Sequence, residues 1–168
     1  NVVSTMKAEP LPDRENSFRG FGDRTSQVVQ LMVARKFGKS SFQLSPTFVN
    51  TGYVQPGDDK SIFALGAAAR IPLSKKFVFV FDYFHPFRSK DSKNFIRSTG
   101  SEVYDAMGAG FEILTEGHTF NLMFTNATEI LENRFIPRTI TSWGRGEFRW
   151  AFNLTRAFVL FRSKKDKE

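Results

Sequence analysis

Few side chains in this sequence are suited to bond-making chemistry, and their surroundings narrow the choice further. There are two histidines and no cysteine, which excludes disulfides, thiolate metal sites and a cysteine nucleophile. His85 follows Asp82 and directly precedes Pro86; His118 comes straight after Thr115-Glu116-Gly117. A hydrolase would need one of them beside a serine and an acid or amide. No Gly-x-Ser-x-Gly elbow or comparable serine setting accompanies either, so both read as polar caps at strand ends. Asp58 with Asp59, and Asp13 with Glu15, are acids that a divalent cation would favour. Neither pair has calcium-loop spacing, and solvated loop charge is the expectation for both. Gly20-Phe21-Gly22 and Gly108-Ala109-Gly110 do not open a helix after a strand, as a phosphate-binding loop must. No catalytic, metal or cofactor-binding residue is therefore expected.

The remaining charges of interest, Arg70, Asp82, Glu112, Glu147 and Arg149, all fall on the polar phase of segments that alternate with period 2. In 41–51, Phe42, Leu44, Pro46 and Phe48 alternate with Gln43, Ser45 and Thr47. In 61–72, Phe63, Leu65, Ala67, Ala69 and Ile71 oppose Ala64, Gly66, Ala68 and Arg70. The small second set suits a crowded interior or a bulky side chain lying over Gly66. Segments 26–37, 77–85, 103–114 and 118–126 repeat the pattern. The last, 145–161, sets Phe148, Trp150, Phe152, Leu154, Phe158 and Leu160 against Glu147, Arg149, Ala151, Asn153 and Thr155. Pro46 argues for an edge or a bulge, but the regular alternation around it favours a full strand.

Twenty phenylalanines in 168 residues coexist with a mean hydropathy of only −0.31. Alternation explains both numbers, because every second residue is polar. No stretch approaches the ~18 apolar residues of a membrane-spanning helix. The connections are the stronger clue, since long and short ones alternate strictly along the chain. Long ones cover 8–25, 52–60, 86–102 and 127–144; tight turns fall at 37–40, 73–76 and 115–117. A short helix is expected over 128–135, capped from Asn126. An up-and-down transmembrane barrel has this alternation, with short periplasmic turns and longer extracellular loops. Segments of roughly 9–12 residues also match a tilted crossing of the hydrocarbon layer. Aromatics would form two belts: Tyr53, Tyr83 and Tyr104 near the long connections, and Phe37, Phe42 and Phe77 near the short turns.

The fold expected is thus an all-β, antiparallel, up-and-down transmembrane barrel, with about 7–8 strands over residues 1–161 and a basic tail at 162–168. Its inward charges would form either a selectivity ring in a water-filled pore or a paired network filling a narrow lumen. The net charge of +7 is scattered apart from that tail, and no nucleic-acid-binding signature appears, so nucleic acid is not an expected partner. No signal peptide is visible, but a chain that starts at Asn1 without methionine reads as a processed or partial product.

Leu31–Phe37 (LMVARKF), Phe63–Arg70 (FALGAAAR), His118–Asn126 (HTFNLMFTN) and Ser142–Phe148 (SWGRGEF) carry a resemblance to a known family. The chain resembles outer-membrane β-barrel proteins of Bacteroidota-type bacteria that are recorded as a domain of unknown function. The resemblance implies that this chain is the C-terminal portion of a larger barrel, with further strands preceding the part that matches Asn1. Val2 to Lys7 is then the tail of a strand, too short to close against 145–161 along its whole length. The family supplies no catalytic or binding residues to transfer.

The function expected is that of a non-enzymatic outer-membrane barrel, a passive pore or a structural subunit of an envelope assembly. Its long loops and C-terminus would be extracellular and periplasmic respectively, and its partners outer-membrane lipid and other envelope proteins. Two competing readings are a soluble β-barrel holding a lipophilic ligand and a membrane-embedded lipid hydrolase.

Overall fold

The computed structural model describes residues 1–6 and 20–156. Nine strand segments form one antiparallel sheet: β1 (Val2–Met6), β2 (Thr25–Gln30), β3 (Val33–Phe37), β4 (Ser40–Thr51), β5 (Ser61–Pro72), β6 (Phe77–Phe87), β7 (Ala106–Thr115), β8 (His118–Thr125) and β9 (Arg149–Arg156). Neighbours follow chain order, β1-β2-β4-β5-β6-β7-β8-β9, with β3 also on β4. The meander curls into a half-barrel eight strands across. Among the described residues β1 and β9 do not pair and form its two edges.

β2 and β3 are two halves of one strand. Gln30 pairs with Thr47 and Val33 with Leu44, so a single register runs through both. The break falls opposite Pro46. Leu31 N–H donates to the Pro46 carbonyl at 3.1 Å, but proline has no N–H to return, and the ladder loses that rung. Pro46 therefore sits in a central strand without bulging it, and its cost appears in the partner.

The connections alternate as the sequence indicates. Gly38, at a φ of +60°, and Gly117, at +87°, make two of the tight turns possible. The long connections cluster at the opposite end and carry more structure than expected. The stretch 86–102 is not all loop: β6 continues through Pro86, in register with Ala64, to Phe87. A helix then follows, α2 (Lys90–Ser98), with the Ser89 side chain capping Ser92 N–H at its start. A single turn of helix, α1 (Phe21–Arg24), lies in the connection before β2. The short helix of the last long connection is α3 (Glu132–Phe135), shorter than 128–135 and not capped from Asn126. β7 begins at Ala106 rather than 103. β9 begins at Arg149 rather than 145, because 143–145 form a 3₁₀ turn closed by Gly146 in the left-handed region. No helix of the described residues is long and apolar enough to cross a membrane.

Candidate functional site

Cross-strand register puts each alternating set on one surface. The convex surface carries Phe42, Leu44, Phe63, Leu65, Phe77, Phe111, Trp150, Phe152 and Leu154, all exposed. Trp150 is 70% and Phe63 65% accessible. The concave surface carries Gln43, Ser45, Thr47, Ala64, Gly66, Asp82, Gly108, Gly110 and Asn121. Thr47 and Ser45 are buried there, and Gln30 Nε2 donates to Thr47 Oγ1 at 3.1 Å. The concave surface also holds a small apolar core, Val28, Val49, Ile62 and Val78, but the polar side chains are kept to this side and the outer side is apolar. That inverts the arrangement of a water-soluble sheet, and hydrocarbon is the solvent that favours it. A soluble barrel around a lipophilic ligand would have the opposite faces.

Of the six expected belt aromatics, Phe37, Phe42, Phe77 and Tyr83 lie on strands, on the convex phase. Phe37 and Phe42 lie at the short-turn end with ring centres 6.0 Å apart, and Phe77 opens β6 at the same end. At the long-connection end Tyr83 is on a strand, whereas Tyr53 lies beyond the end of β4 and Tyr104 before the start of β7. The Tyr104 hydroxyl donates to Glu102 at 2.5 Å, with the Arg145 guanidinium 5.6 Å from its ring centre. The hydrogen bond to the carboxylate raises the Tyr104 phenol and lowers the Glu102 carboxyl. Tyr104 thus belongs to a loop cluster, in correction of its place in the belt. Phe148, expected on the closing strand, instead precedes β9 and stacks on Trp143 at 5.2 Å. Phe158, Leu160 and the tail 162–168 lie outside the described residues.

Of the five expected inward charges, the fold brings two together. Arg70 on β5 reaches across β6 to Glu112 on β7, with Nη2 2.7 Å and Nε 2.8 Å from Oε2. Asp82 shares the concave face, its carboxylate lying over Gly108; a Cβ there would come within 2.5 Å of Oδ1. Arg149 opens β9 in register with Thr125. Glu147 is the exception: it lies in the connection before β9 and accepts from Ser142 N–H at 2.8 Å, steadying the 3₁₀ turn instead of lining the interior.

The concave surface is not left open at its long-connection end. Connection 126–148 folds back over it and buries Ile136 completely against Val28, Val49 and Ala64. Phe135 packs edge-on against Phe84, which itself lies over Gly66, and Asn133 Nδ2 donates to Thr5 Oγ1 on β1. One connection leaving β8 therefore reaches the far edge of the sheet. Asn126 fixes its first residue: it is buried, accepts from Met107 N–H, and donates to the carbonyls of Asp105 and Thr141.

Arg88 ties the cap together. Its Nη1 lies 2.6 Å from Asp58 Oδ1 and 2.7 Å from Ser92 Oγ, and its Nη2 donates to the Pro137 carbonyl. Three long connections thus meet on one guanidinium; the Arg88 side chain is only 4% accessible and that of Asp58 only 8%. Burial alone would raise the Asp58 carboxyl. The Ser92 hydroxyl and the Arg88 charge outweigh it and hold the group below its usual 3.8. Asp58 is therefore a buried ion-pair partner and not solvated loop charge. Asp59 binds Ser89 through both its backbone N–H and its hydroxyl, at 2.8 Å each. Nothing in the spacing of Asp58 and Arg88 marks them as partners; only the packing of two connections joins them.

The histidines lie at opposite rims. His85 faces away from Asp82, on the convex side, and its Nδ1 sits 2.9 Å from Asp105, which also accepts from the Tyr83 hydroxyl. His118 lies beside Phe120 at the short-turn rim. Among the described residues no serine hydroxyl hydrogen-bonds either imidazole.

No curated protein and no solved structure matches this chain. A family profile does, over residues 1–158, and its description agrees with the inverted faces and the antiparallel meander. By that match the chain belongs to the family described as membrane bound beta barrel domain (DUF5777).

Proposed function

We propose that this is a non-enzymatic barrel of the outer membrane whose lumen is stoppered at the long-connection end, a structural or accessory component of the envelope more than a free pore. The observation that carries this is the complete burial of Ile136 between Val28, Val49 and Ala64 on the concave face. A connection that merely lay on the rim would leave that side chain in water. Arg88, held by Asp58, Ser92 and Pro137, keeps the stopper in place.

Orientation follows from the same parts. Tight turns suit the periplasmic side and the capped end the exterior, where long loops are tolerated. Outer-membrane lipid is then the partner of the convex face, and other envelope proteins meet the loops. The lipid-hydrolase alternative is the weaker one, because His85 has an acid and a phenol as neighbours and, among the described residues, no serine hydroxyl bonded to it.

Planar-bilayer conductance of the full-length protein tests the reading. Wild type is expected to carry little steady current, and deletion of 128–140 to produce one. A large, persistent wild-type conductance would establish an open pore instead.

A further inference from the structure

The capped rim also holds a cavity lined by three cationic side chains, Arg88, Lys93 and Arg97, and two acids, Glu102 and Asp105. It measures about 340 Å3 and lies between α2 and the rims of β6 and β7, lined by His85, Lys93, Ile96, Arg97, Glu102 and Tyr104 among others. Helix α2 creates it. Ser92 and Ile96 are buried against the protein, and Lys93 and Arg97, four residues apart, stand on one helix face one turn from each other.

The acids at this cavity are already engaged. Glu102 is taken by Tyr104 at 2.5 Å and Arg145 at 3.3 Å, and Asp105 by His85 at 2.9 Å and Tyr83. Arg88 is neutralised by Asp58. Among the described residues neither the Lys93 nor the Arg97 side chain makes a hydrogen bond or an ion pair, although Arg97 lies within the field of Glu102. Two cations thus stand at the mouth without a hydrogen-bonded partner: an ammonium, which acts as a point charge, and a guanidinium fork, which matches a phosphate oxygen pair.

The cavity also adjoins the apolar surface. Its wall residue His85 packs edge-on against Phe87, ring centres 4.9 Å apart. Phe87 pairs with Phe63 across the β5–β6 ladder, and both rings are exposed on the convex face. Cationic rim and apolar wall are joined as a lipid's headgroup and chains are joined.

We infer that this cavity binds the phosphate headgroup of a membrane lipid, with Lys93 and Arg97 on the phosphate and the acyl chains along Phe87 and Phe63. The site rests on the capped rim lying at a membrane interface, as proposed above, but not on whether the lumen is closed.

Native mass spectrometry of the full-length barrel in an uncharged detergent tests it, with dioleoyl phosphatidic acid, phosphatidylcholine and inorganic phosphate as probes. One phosphatidic acid per barrel is expected to be retained in preference to phosphatidylcholine. The Lys93→Gln/Arg97→Gln variant should hold it roughly 30-fold more weakly, about fivefold for each interfacial cation. Lys75→Gln/Lys76→Gln, at the opposite rim, should leave binding unchanged, and a heat-dependent gel shift confirms that each variant is folded. Equal retention by the Lys93/Arg97 variant, or equal retention of phosphatidylcholine, would overturn the site. Displacement of the lipid from wild type by millimolar inorganic phosphate would overturn the lipid source in favour of free phosphate. Conductance of the same samples reports on the stopper separately, so the two proposals fail independently.

Discussion

The ring of Phe84 lies over Gly66 on the neighbouring strand, so close that a Cβ at position 66 would sit 2.4 Å from its Cε1. The same ring packs edge-on against Phe135 of the cap, centres 5.5 Å apart. Gly66→Val should therefore act at a distance. It is expected to destabilise the barrel by about 1–3 kcal/mol through overpacking and to loosen the connection that Phe135 anchors. Urea-induced unfolding in lipid vesicles measures the first effect. Combining Gly66→Val with Phe84→Ala should cost less than the sum of the two single changes.

Removing Arg88 leaves a buried carboxylate unpaired. Arg88→Met should cost about 3–5 kcal/mol and expose connections 52–60 and 88–105 to limited proteolysis, with the strands still protected. Resistance to protease equal to wild type would show that the guanidinium does not hold the cap.

Acid should open the same cap, but late. The Asp58 carboxyl is depressed below 3.8 in the folded state, so its contribution is fully present above that value and is lost only as pH falls through the lower, folded value. Protease sensitivity of the long connections is expected to stay flat down to about pH 4 and rise below it. Asp58→Asn should be open at neutral pH and insensitive to acid.

Arg70 and Glu112 give a smaller effect. The pair is partly solvated, with side chains 45% and 21% accessible, so a double-mutant cycle should return a coupling of about 0.2–1 kcal/mol. A coupling of several kcal/mol would mean that the lumen is much drier than this exposure implies.

The convex face predicts a positional asymmetry. Ala67→Arg, outward in mid-strand, should cost about 2–4 kcal/mol when measured in a bilayer, whereas Thr155→Arg on the concave face of β9 should cost far less. Equal tolerance at the two positions would contradict a lipid-facing convex surface.

The barrel was legible because alternation and connection length are local properties. Phe63, Leu65 and Ala67 declare their face two residues at a time, and a two-residue turn is visible as such. Even the neighbour of Gly66 could be anticipated in kind, since a strip of small residues needs something large above it. The cap was not legible. Ile136 is an ordinary aliphatic residue in an irregular stretch, and its partners Val28, Val49 and Ala64 come from three different strands. The Ser89 cap and the Asp91 and Arg97 charges did mark α2, but the basic, serine-rich composition of 86–102 concealed a helix with only two buried residues. Glu147 failed for a related reason: alternation continues past the start of the strand, so the polar phase extended into a turn that serves a different purpose.

Pro46 carries a consequence for how this wall yields. In hydrocarbon a lost backbone hydrogen bond has no water to replace it, so the missing return bond to Leu31 leaves a weak point in the line between Thr25–Phe37 and β4. Lateral strain from a thinning or curving bilayer would be released there first, midway along the strands and away from both the ion-paired cap and the tight turns. Such a point gives the wall a place to flex while the ladders on either side of it stay paired.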